Sequence, residues 1–494
     1  MTIFRNKTLF IYFSLFLLFL IFKWEYLHLP FYSEEKPYAV RSVLNYPFWK
    51  ILIHDYRLEA FADHHTLLPI LMAPAMYLFG NNPFGIHLFM FAISILGLTF
   101  MTKTLQSLSP TKKNLYWFAP LLLFLFPDYF IHMSNLRYEI LAATLSILAI
   151  YFRIHNKLLP YMFFCVLLSQ TRETVLAFFA SFIIIDLLKF IRDKDKEHLK
   201  YLAINFLSII LWASYFILHY YQHGKISSSA ASNQIVQTLS QYLGILYFDF
   251  KWFFFLDNRW FLSLLTLISL FLVFKRREKL DLNLLYFLLP IIFYALGMSF
   301  HVFEADYYLQ AILYCLYGLF SYFILRLKLP TFIYPIIILI MLGNFFYLDN
   351  IKSYELAPEN STFYKEVTTN YQHVGKNLKL KYNGKRFNIE WPLVYYLSDP
   401  AYGYIKNSYA RNVKPYFHEN WAAQLGHEGV QWDKPNKDCD TFRAQFDGIV
   451  IQKNGNPLHR DYQNYFIKTC NYEFVEQFGG DKNFVKIYLK KENN

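Results

Sequence analysis

The stretch that decides the fold is NLRYEILAATLSILAIYFR, running from Asn135 to Arg153. From Ile140 to Phe152 it carries no charged residue, and charges stand at both ends. A helix that crosses the hydrocarbon core of a bilayer needs about 20 mostly apolar residues. This stretch meets that length, and similar runs recur around it. They lie near 8–24, 84–102, 115–133, 136–153, 157–170, 173–191, 200–219, 259–275, 284–300, 306–326 and 330–348. The expectation is therefore an α-helical polytopic membrane protein of about eleven spans over residues 1–348. From Asp349 to Asn494 no apolar run is long enough to cross a bilayer.

Composition agrees with that division. Of 494 residues, 55% are hydrophobic and only 17% charged, against about 25% in soluble domains. A net charge of +12 in a soluble chain would raise the question of nucleic acid. Here the excess has a membrane explanation, and no nucleic-acid partner is expected. Lys and Arg gather in alternate short loops: Arg5 and Lys7; Lys103, Lys112 and Lys113; Arg153 and Lys157; Lys189 to Lys200; Lys275 to Lys279; Arg326 and Lys328. By the positive-inside rule these loops are cytoplasmic. The N terminus is then inside and the C-terminal domain outside.

Within this frame, the first apolar run is read as a retained span. Lys23-Trp24-Glu25-Tyr26 lacks the small residues of a cleavage site. Thr66 to Gly80 contains Pro69 and Pro74 and is too short to span, so it is expected to be re-entrant or interfacial. Two external loops are long, 25–83 and 221–258. Trp252 and Trp260 in and after the second read as an interfacial aromatic belt. Residues 349–494 are expected to form a soluble extracytoplasmic α/β domain, with a helix over 366–378 and strands at 386–390, 448–451 and 484–489. Cys439 and Cys470 are its only cysteines. A disulfide between them suits an external domain, but sequence does not supply the Cα separation it requires.

Charged groups at membrane depth are costly, which makes them candidates for function. Four clusters stand out. The first loop carries Glu34-Glu35 and Asp63-His64-His65. Arg137 and Glu139 open the span quoted above; two residues apart, they do not share a helix face and should meet different partners. Arg172 and Glu173 sit in a hairpin, and His301, Glu304, Asp306 and Tyr307 precede a later span. Each has a plain structural reading, as a solvated acidic loop or a helix–helix ion pair. All four nevertheless fall on one side of the membrane in this topology. That convergence favours a single polar site near the outer leaflet. His54, His87, His132, His155, His219 and His223 show no metal-ligand spacing.

Several of these residues fall into an ordered pattern. Ser33-Glu34-Glu35-Lys36-Pro37-Tyr38-Ala39 resembles the D-E-x-x-Y-A motif of the GT-C glycosyltransferases, especially protein O-mannosyltransferases and lipid A aminoarabinose transferases. Ala62-Asp63-His64-His65-Thr66-Leu67-Leu68-Pro69 resembles their acidic/His segment, and Leu78-Phe79-Gly80 their LFG element. Leu136-Arg137-Tyr138-Glu139-Ile140-Leu141 is similar to their R-x-D-x-L. The resemblance covers the first 180 or so residues well and the later spans loosely. It implies a membrane glycosyltransferase that moves a sugar from a polyprenyl-phosphate donor to a lipid, glycan or protein acceptor at the outer face of a bacterial cytoplasmic membrane. It implies inversion at the sugar, with Glu34 as base, Glu35 beside it and Glu139 at the second acidic position. Asp63 and His64 would fall near the lipid phosphate, and Arg137, Arg172, Glu173, His301 and Tyr307 would line the substrate site.

The departures have consequences. Glu34 and Glu139 replace Asp, extending each carboxylate by one methylene. His64 replaces a Lys. Ala305-Asp306-Tyr307-Tyr308 replaces a late R-Y-L-L-P, removing a cation that Arg137, Arg172 or Lys251 would have to supply. A monophosphate leaving group does not demand a metal, so no metal ligand is assigned, which leaves a divalent ion open. The rival readings are a flippase or transporter of lipid-linked sugars, for which the sequence lacks an internal repeat, and a membrane receptor or scaffold.

Overall fold

The computed structural model describes residues 7–29, 67–79, 82–108, 117–223, 238–256, 259–300, 306–327, 329–351, 361–382, 385–389, 393, 438–453, 457–481 and 483–491. Helix forms at each apolar run read from the sequence. The described chain begins with α1 (Lys7–Leu27), α2 (Leu67–Phe79) and α3 (Pro83–Leu108). The run expected at 115–133 is two short helices, α4 (Phe118–Phe124) and α5 (Pro127–His132). The cause is Pro127. A proline disfavours the helical region at the residue before it, and Phe126 is extended, with φ −84° and ψ 117°. Next come α6 (Tyr138–Ile154), α7 (Leu158–Ser169), α8 (Leu176–Asp193) and α9 (Glu197–His223). They are followed by α10 (Leu239–Phe254), α11 (Arg259–Lys275), α12 (Leu285–Met298), α13 (Leu313–Arg326) and α14 (Ile333–Ile351).

The chain is a multi-pass α-helical membrane protein. Among the described residues, four helical stretches are by themselves long and apolar enough to cross a bilayer: Pro83–Leu108, Glu173–Asp193, Glu197–Leu218 and Leu309–Arg326. A fifth arises if α10 and α11, whose axes differ by 81°, form one broken span. Shorter apolar helices fill in around them, including the proline-containing α2. Helix α10 falls within the second long loop of the sequence reading, which is long enough to hold structure of its own. Asp249 and Lys251 interrupt its apolar run.

Helices α6 and α13 form the centre of this unit. Every residue from Tyr138 to Ile150 and from Leu313 to Leu325 is buried. Gly97 of α3 lets three helices approach: a Cβ there would stand 2.5 Å from the Tyr314 hydroxyl and 2.8 Å from Thr144 Oγ1. One end of the bundle is tied by a buried polar network. Arg153 donates to Asp186 from Nε (2.7 Å), and its other guanidinium nitrogens reach Asn156 Oδ1 and His198 Nδ1. Asn205 and Tyr286 also donate to Asp186, and Tyr161 donates to Asn205. Four helices, α6, α8, α9 and α12, therefore meet on one carboxylate, and α7 joins them through Asn205. Lys189, Asn283, Lys279 and Arg326 lie at this same end, through the Lys189–Asn283 and Arg326–Lys279 hydrogen bonds.

The second compact unit takes in the chain after residue 350 together with short pieces of the first long loop. Helix α15 (Ser361–Lys381) precedes β1 (Phe387–Ile389), α16 (Cys439–Gln445), β2 (Gly448–Gln452), α17 (Pro457–Thr469), β3 (Tyr472–Phe478) and β4 (Val485–Lys490). The sheet order is β1-β2-β4-β3, with β1 parallel to β2 and the other pairs antiparallel. Phe442, Phe446, Ile449, Ile451, Phe466 and Tyr472 form its core. Strand β3 was not legible in sequence, because Glu473 and Glu476 break its apolar pattern and a bulge shifts its register between Phe474 and Glu476. Cys439 and Cys470 are disulfide-bonded, with Cα atoms 5.2 Å apart.

Candidate functional site

The end of the bundle opposite the Arg153–Asp186 network carries Arg137, Glu139, Arg172 and Glu173 of the residues singled out in the sequence. Helix α6 starts there, so Glu139 in its first turn is buried, 2% exposed. Its partner is Arg172, with which it forms an ion pair. Arg172 is extended, with φ −159° and ψ 161°, between α7 and a 3₁₀ turn over Glu173–Val175. Its Nε lies 3.8 Å from Glu173 Oε2. The α6–α7 hairpin brings the two ends together, which is why residues 33 positions apart in sequence pair. A guanidinium and a carboxylate so deeply buried persist only as partners.

The hairpin also receives the first loop's returning strand of chain. The Leu67 backbone N–H donates to the Gln170 carbonyl at 3.2 Å. The Gln170 side chain donates to the Leu211 carbonyl at 3.1 Å. Leu67 follows Asp63-His64-His65-Thr66 directly. The chain leaving that motif is thus pinned two residues from Arg172.

Arg137 stands two residues before Glu139. It precedes α6 in extended conformation, and its side chain is buried. Its charge and that of Lys23 both act on the ring of His132. Lys23 in turn donates to the Ile131 carbonyl at 3.1 Å and lies over the Phe130 ring. His132 is fully enclosed, and neither ring nitrogen has a hydrogen-bond partner.

A further group was missed by sequence reading. Arg259, the first residue of α11, is completely buried. Its guanidinium carbon lies 4.0 Å from the Trp252 ring centroid and 4.6 Å from that of Phe126. Trp252 is 1% exposed, so the belt reading fails for it, whereas Trp260 is half exposed. Asp249, one turn before Trp252, accepts from the Ser299 hydroxyl at 3.2 Å. Arg259 and Asp128 both act electrostatically on Tyr317, and Gln310 donates to the Asp128 carbonyl at 3.3 Å. The signal available in the sequence was Asp249: a carboxylate inside an apolar helical stretch is costly without a purpose. Arg259 itself reads as an ordinary loop-edge charge.

The structure thus brings Glu139, Arg172 and Glu173 together, with Arg137 buried just before α6. Glu34, Glu35, Asp63, His64 and His301 lie outside the described residues. For Tyr307 the backbone is described, in the 3₁₀ segment Asp306–Ile312, but not the side chain. Among the described residues, no group of three or more His, Cys, Asp or Glu side chains is arranged to hold a metal ion.

No protein-family model matches the sequence, and no curated protein matches it. Solved structures do match the fold. ArnT from Cupriavidus metallidurans in the apo state is similar with a TM-score of 0.59 at 11% identity, over 96% of this chain and 97% of that one. The same protein bound to undecaprenyl phosphate is similar with a TM-score of 0.55 at 12% identity, over 97% of each chain. The likeness runs through both units. The chain therefore has the fold of ArnT.

Proposed function

We propose that this protein is a membrane glycosyltransferase that takes a sugar from a polyprenyl-phosphate donor and passes it, with inversion, to an acceptor at the outer face of the cytoplasmic membrane. The observation that carries the reading is the gathering of buried charges at one end of a bundle whose fold matches, over nearly its full length, a protein solved with undecaprenyl phosphate. The polyprenyl tail lies in the bilayer and its phosphate at the interface, where a protein must supply cations to stabilise the leaving group.

In the reaction, the acceptor hydroxyl oxygen attacks the sugar's anomeric carbon. The bond from that carbon to the phosphate oxygen breaks, and its electrons leave with polyprenyl phosphate. The hydroxyl proton passes to the base, Glu34, with Glu35 beside it. Asp63 and His64 lie within four residues of Leu67, whose backbone is fixed to the Arg172 hairpin, which suits a role near the donor phosphate. Glu139 has a different part from that of a base. A carboxylate that shares its charge with a guanidinium is a weak proton acceptor, so Glu139 orients Arg172 and the hairpin. Arg259 takes the place of the cation lost with the R-Y-L-L-P element. The positive loops and the Cys439–Cys470 disulfide favour an N terminus inside and the second unit outside.

The test is to mix the purified protein with a polyprenyl-phosphate sugar and candidate acceptors, and to follow released polyprenyl phosphate. Release that needs acceptor supports transfer. Movement of intact donor across a vesicle without release supports a flippase instead. Glu34→Gln should reduce release by about a thousandfold or more while leaving folding intact, from the loss of the base. Full activity in that variant removes the base assignment.

A further inference from the structure

Lys189 lies near the C-terminal end of α8, at the end of the bundle tied by Arg153 and Asp186, and is only 7% exposed. An ammonium carries three N–H donors. This one donates to Asn283 Oδ1 at 2.6 Å and lies 4.8 Å from the centroid of the Tyr286 ring. Among the described residues, no carboxylate forms an ion pair with it. The nearby carboxylates are engaged elsewhere. Asp186 accepts from Arg153, Asn205 and Tyr286, and Asp193 accepts from two nitrogens of Arg192. Asp281 accepts from the Asn283 backbone N–H at 2.9 Å, which caps the 3₁₀ turn Leu282–Leu284 and fixes Asn283 ahead of α12. A charge so far from water is costly unless a counter-ion meets it. A neutral amide supplies an acceptor without offsetting the charge. The neighbouring surface is that of a lipid-facing bundle. Helix α8 exposes Ile184, Leu188 and Ile191, and α12 exposes Leu288, Ile292 and Leu296. Spacings of three and four put each set on one helix face. Lys194 and Lys196 follow α8 directly, both exposed and, among the described residues, without an ion pair.

We infer that Lys189 and Asn283 form the floor of a headgroup site for an anionic phospholipid, between the end of α8 and the start of α12. The lipid phosphate is the counter-ion of Lys189, and the acyl chains lie along the exposed stripes of the two helices. Basic pockets between helix ends at a bilayer surface hold anionic headgroups in this way, and nearby lysines add attraction over about a Debye length. A phospholipid is favoured over a soluble anion because the amine is nearly enclosed, while Leu188 and Ile191 beside it in the chain are exposed and apolar. The site is independent of the transferase reading and lies at the end of the bundle away from Glu139 and Arg172.

The experiment titrates the purified full-length protein in detergent with phosphatidylglycerol and reads bound lipid by native mass spectrometry. Phosphatidylcholine with the same chains, which carries no net charge, is the control. The unaltered protein should prefer phosphatidylglycerol. Lys189→Gln should weaken phosphatidylglycerol binding by about tenfold or more, the size of a lost charged contact, and leave phosphatidylcholine within about twofold. Lys189→Arg, which keeps the charge, should retain most of the preference. Asn283→Asp gives the amine a carboxylate of its own and should weaken phosphatidylglycerol binding with Lys189 still present. Lys194→Gln combined with Lys196→Gln should cost a smaller factor, about threefold, that vanishes at high salt. Equal affinity of the unaltered protein for the two lipids overturns the inference. So does phosphatidylglycerol binding that is unchanged in Lys189→Gln. An equal loss of both lipids in Lys189→Gln also overturns it, because a packing defect moves both together. Inorganic phosphate that displaces phosphatidylglycerol at a comparable concentration makes this a site for a soluble anion and overturns the lipid assignment. Release of polyprenyl phosphate in the transfer assay depends on none of these outcomes.

Discussion

Glu139 and Arg172 are each unfavourable where they stand, and each is tolerable because of the other. Removing one partner of a buried pair leaves an uncompensated charge, which costs about 3–5 kcal/mol. Glu139→Ala should therefore lower the unfolding free energy by about that amount, and Glu139→Ala with Arg172→Leu by less than the sum. Thermal denaturation of the two singles and the double in detergent gives the coupling; strict additivity would show that the pair carries no interaction. Tyr472 makes a separate case in the second unit. Its hydroxyl donates to the Phe446 carbonyl at 2.7 Å, and burial pushes its pKa up to about 12. In the unfolded chain a tyrosine ionises near pH 10. The folded-state value is the higher of the two, so the contribution is whole below about pH 10 and is lost as pH rises towards 12. Tyr472→Phe should remove that part of the alkaline destabilisation, seen as a shallower fall in melting temperature between those pH values. Sequence showed that Glu139 and Arg172 belong on one side of the membrane. It could not show that they touch, because their meeting depends on where the α6–α7 hairpin closes. Arg259 was invisible for another reason: a lone arginine after a loop looks solvated until the neighbouring aromatic rings are seen to enclose it.

Helix identity came readily from the sequence because length and apolarity alone specify a span. Helix breaks did not, since they depend on one residue acting locally. Pro127 was inside a run read as continuous, and its effect on Phe126 changes what the neighbouring helices can reach. The α8 helix illustrates the opposite arrangement. It carries Asp186 into the bundle, where Arg153, Asn205 and Tyr286 all donate to it. A buried carboxylate with its acceptor positions filled rigidifies the helices that fill them. Asp186→Leu should destabilise the bundle by about 3–5 kcal/mol by orphaning Arg153. Arg153→Leu combined with Asp186→Leu should cost less than either single change, since both charges leave together. Melting temperatures rank the three. A double variant worse than both singles would mean that the polar contacts, rather than the paired charges, hold these elements. Transfer activity provides the second reading, because this network lies at the end of the bundle away from Glu139 and Arg259 and should not set donor binding.

At the scale of the whole molecule, the question is which side of the membrane each unit faces, and the disulfide offers a direct answer. Cys439 begins α16 and Cys470 follows α17, so the bond joins the starts and ends of two helices that share the core with β2. The two are 31 residues apart. Closing a loop of that size removes unfolded-state entropy worth about 3–4 kcal/mol. Asp438 caps the same helix, accepting from the backbone N–H groups of Asp440 and Thr441, so the cysteine is presented from a fixed turn. Disulfides of this structural kind form in oxidising compartments and are rare in the cytosol. If the second unit faces outward, as the distribution of Lys and Arg over alternate loops predicts, then intact cells treated with a membrane-impermeant maleimide should label Cys439 and Cys470 only after prior reduction by an impermeant reductant. Cys165 and Cys315, both buried in the helical unit, should stay unlabelled until the protein is denatured. Labelling of Cys439 and Cys470 without reductant, and only after lysis, would place the second unit in the cytosol. That outcome would also reverse the positive-inside reading of the loops, on which the outer-face proposal for Glu139 and Arg172 rests. A donor whose sugar is handed over on the outer face could then not reach the site, so one labelling pattern bears on the fold's orientation and on the proposed chemistry together.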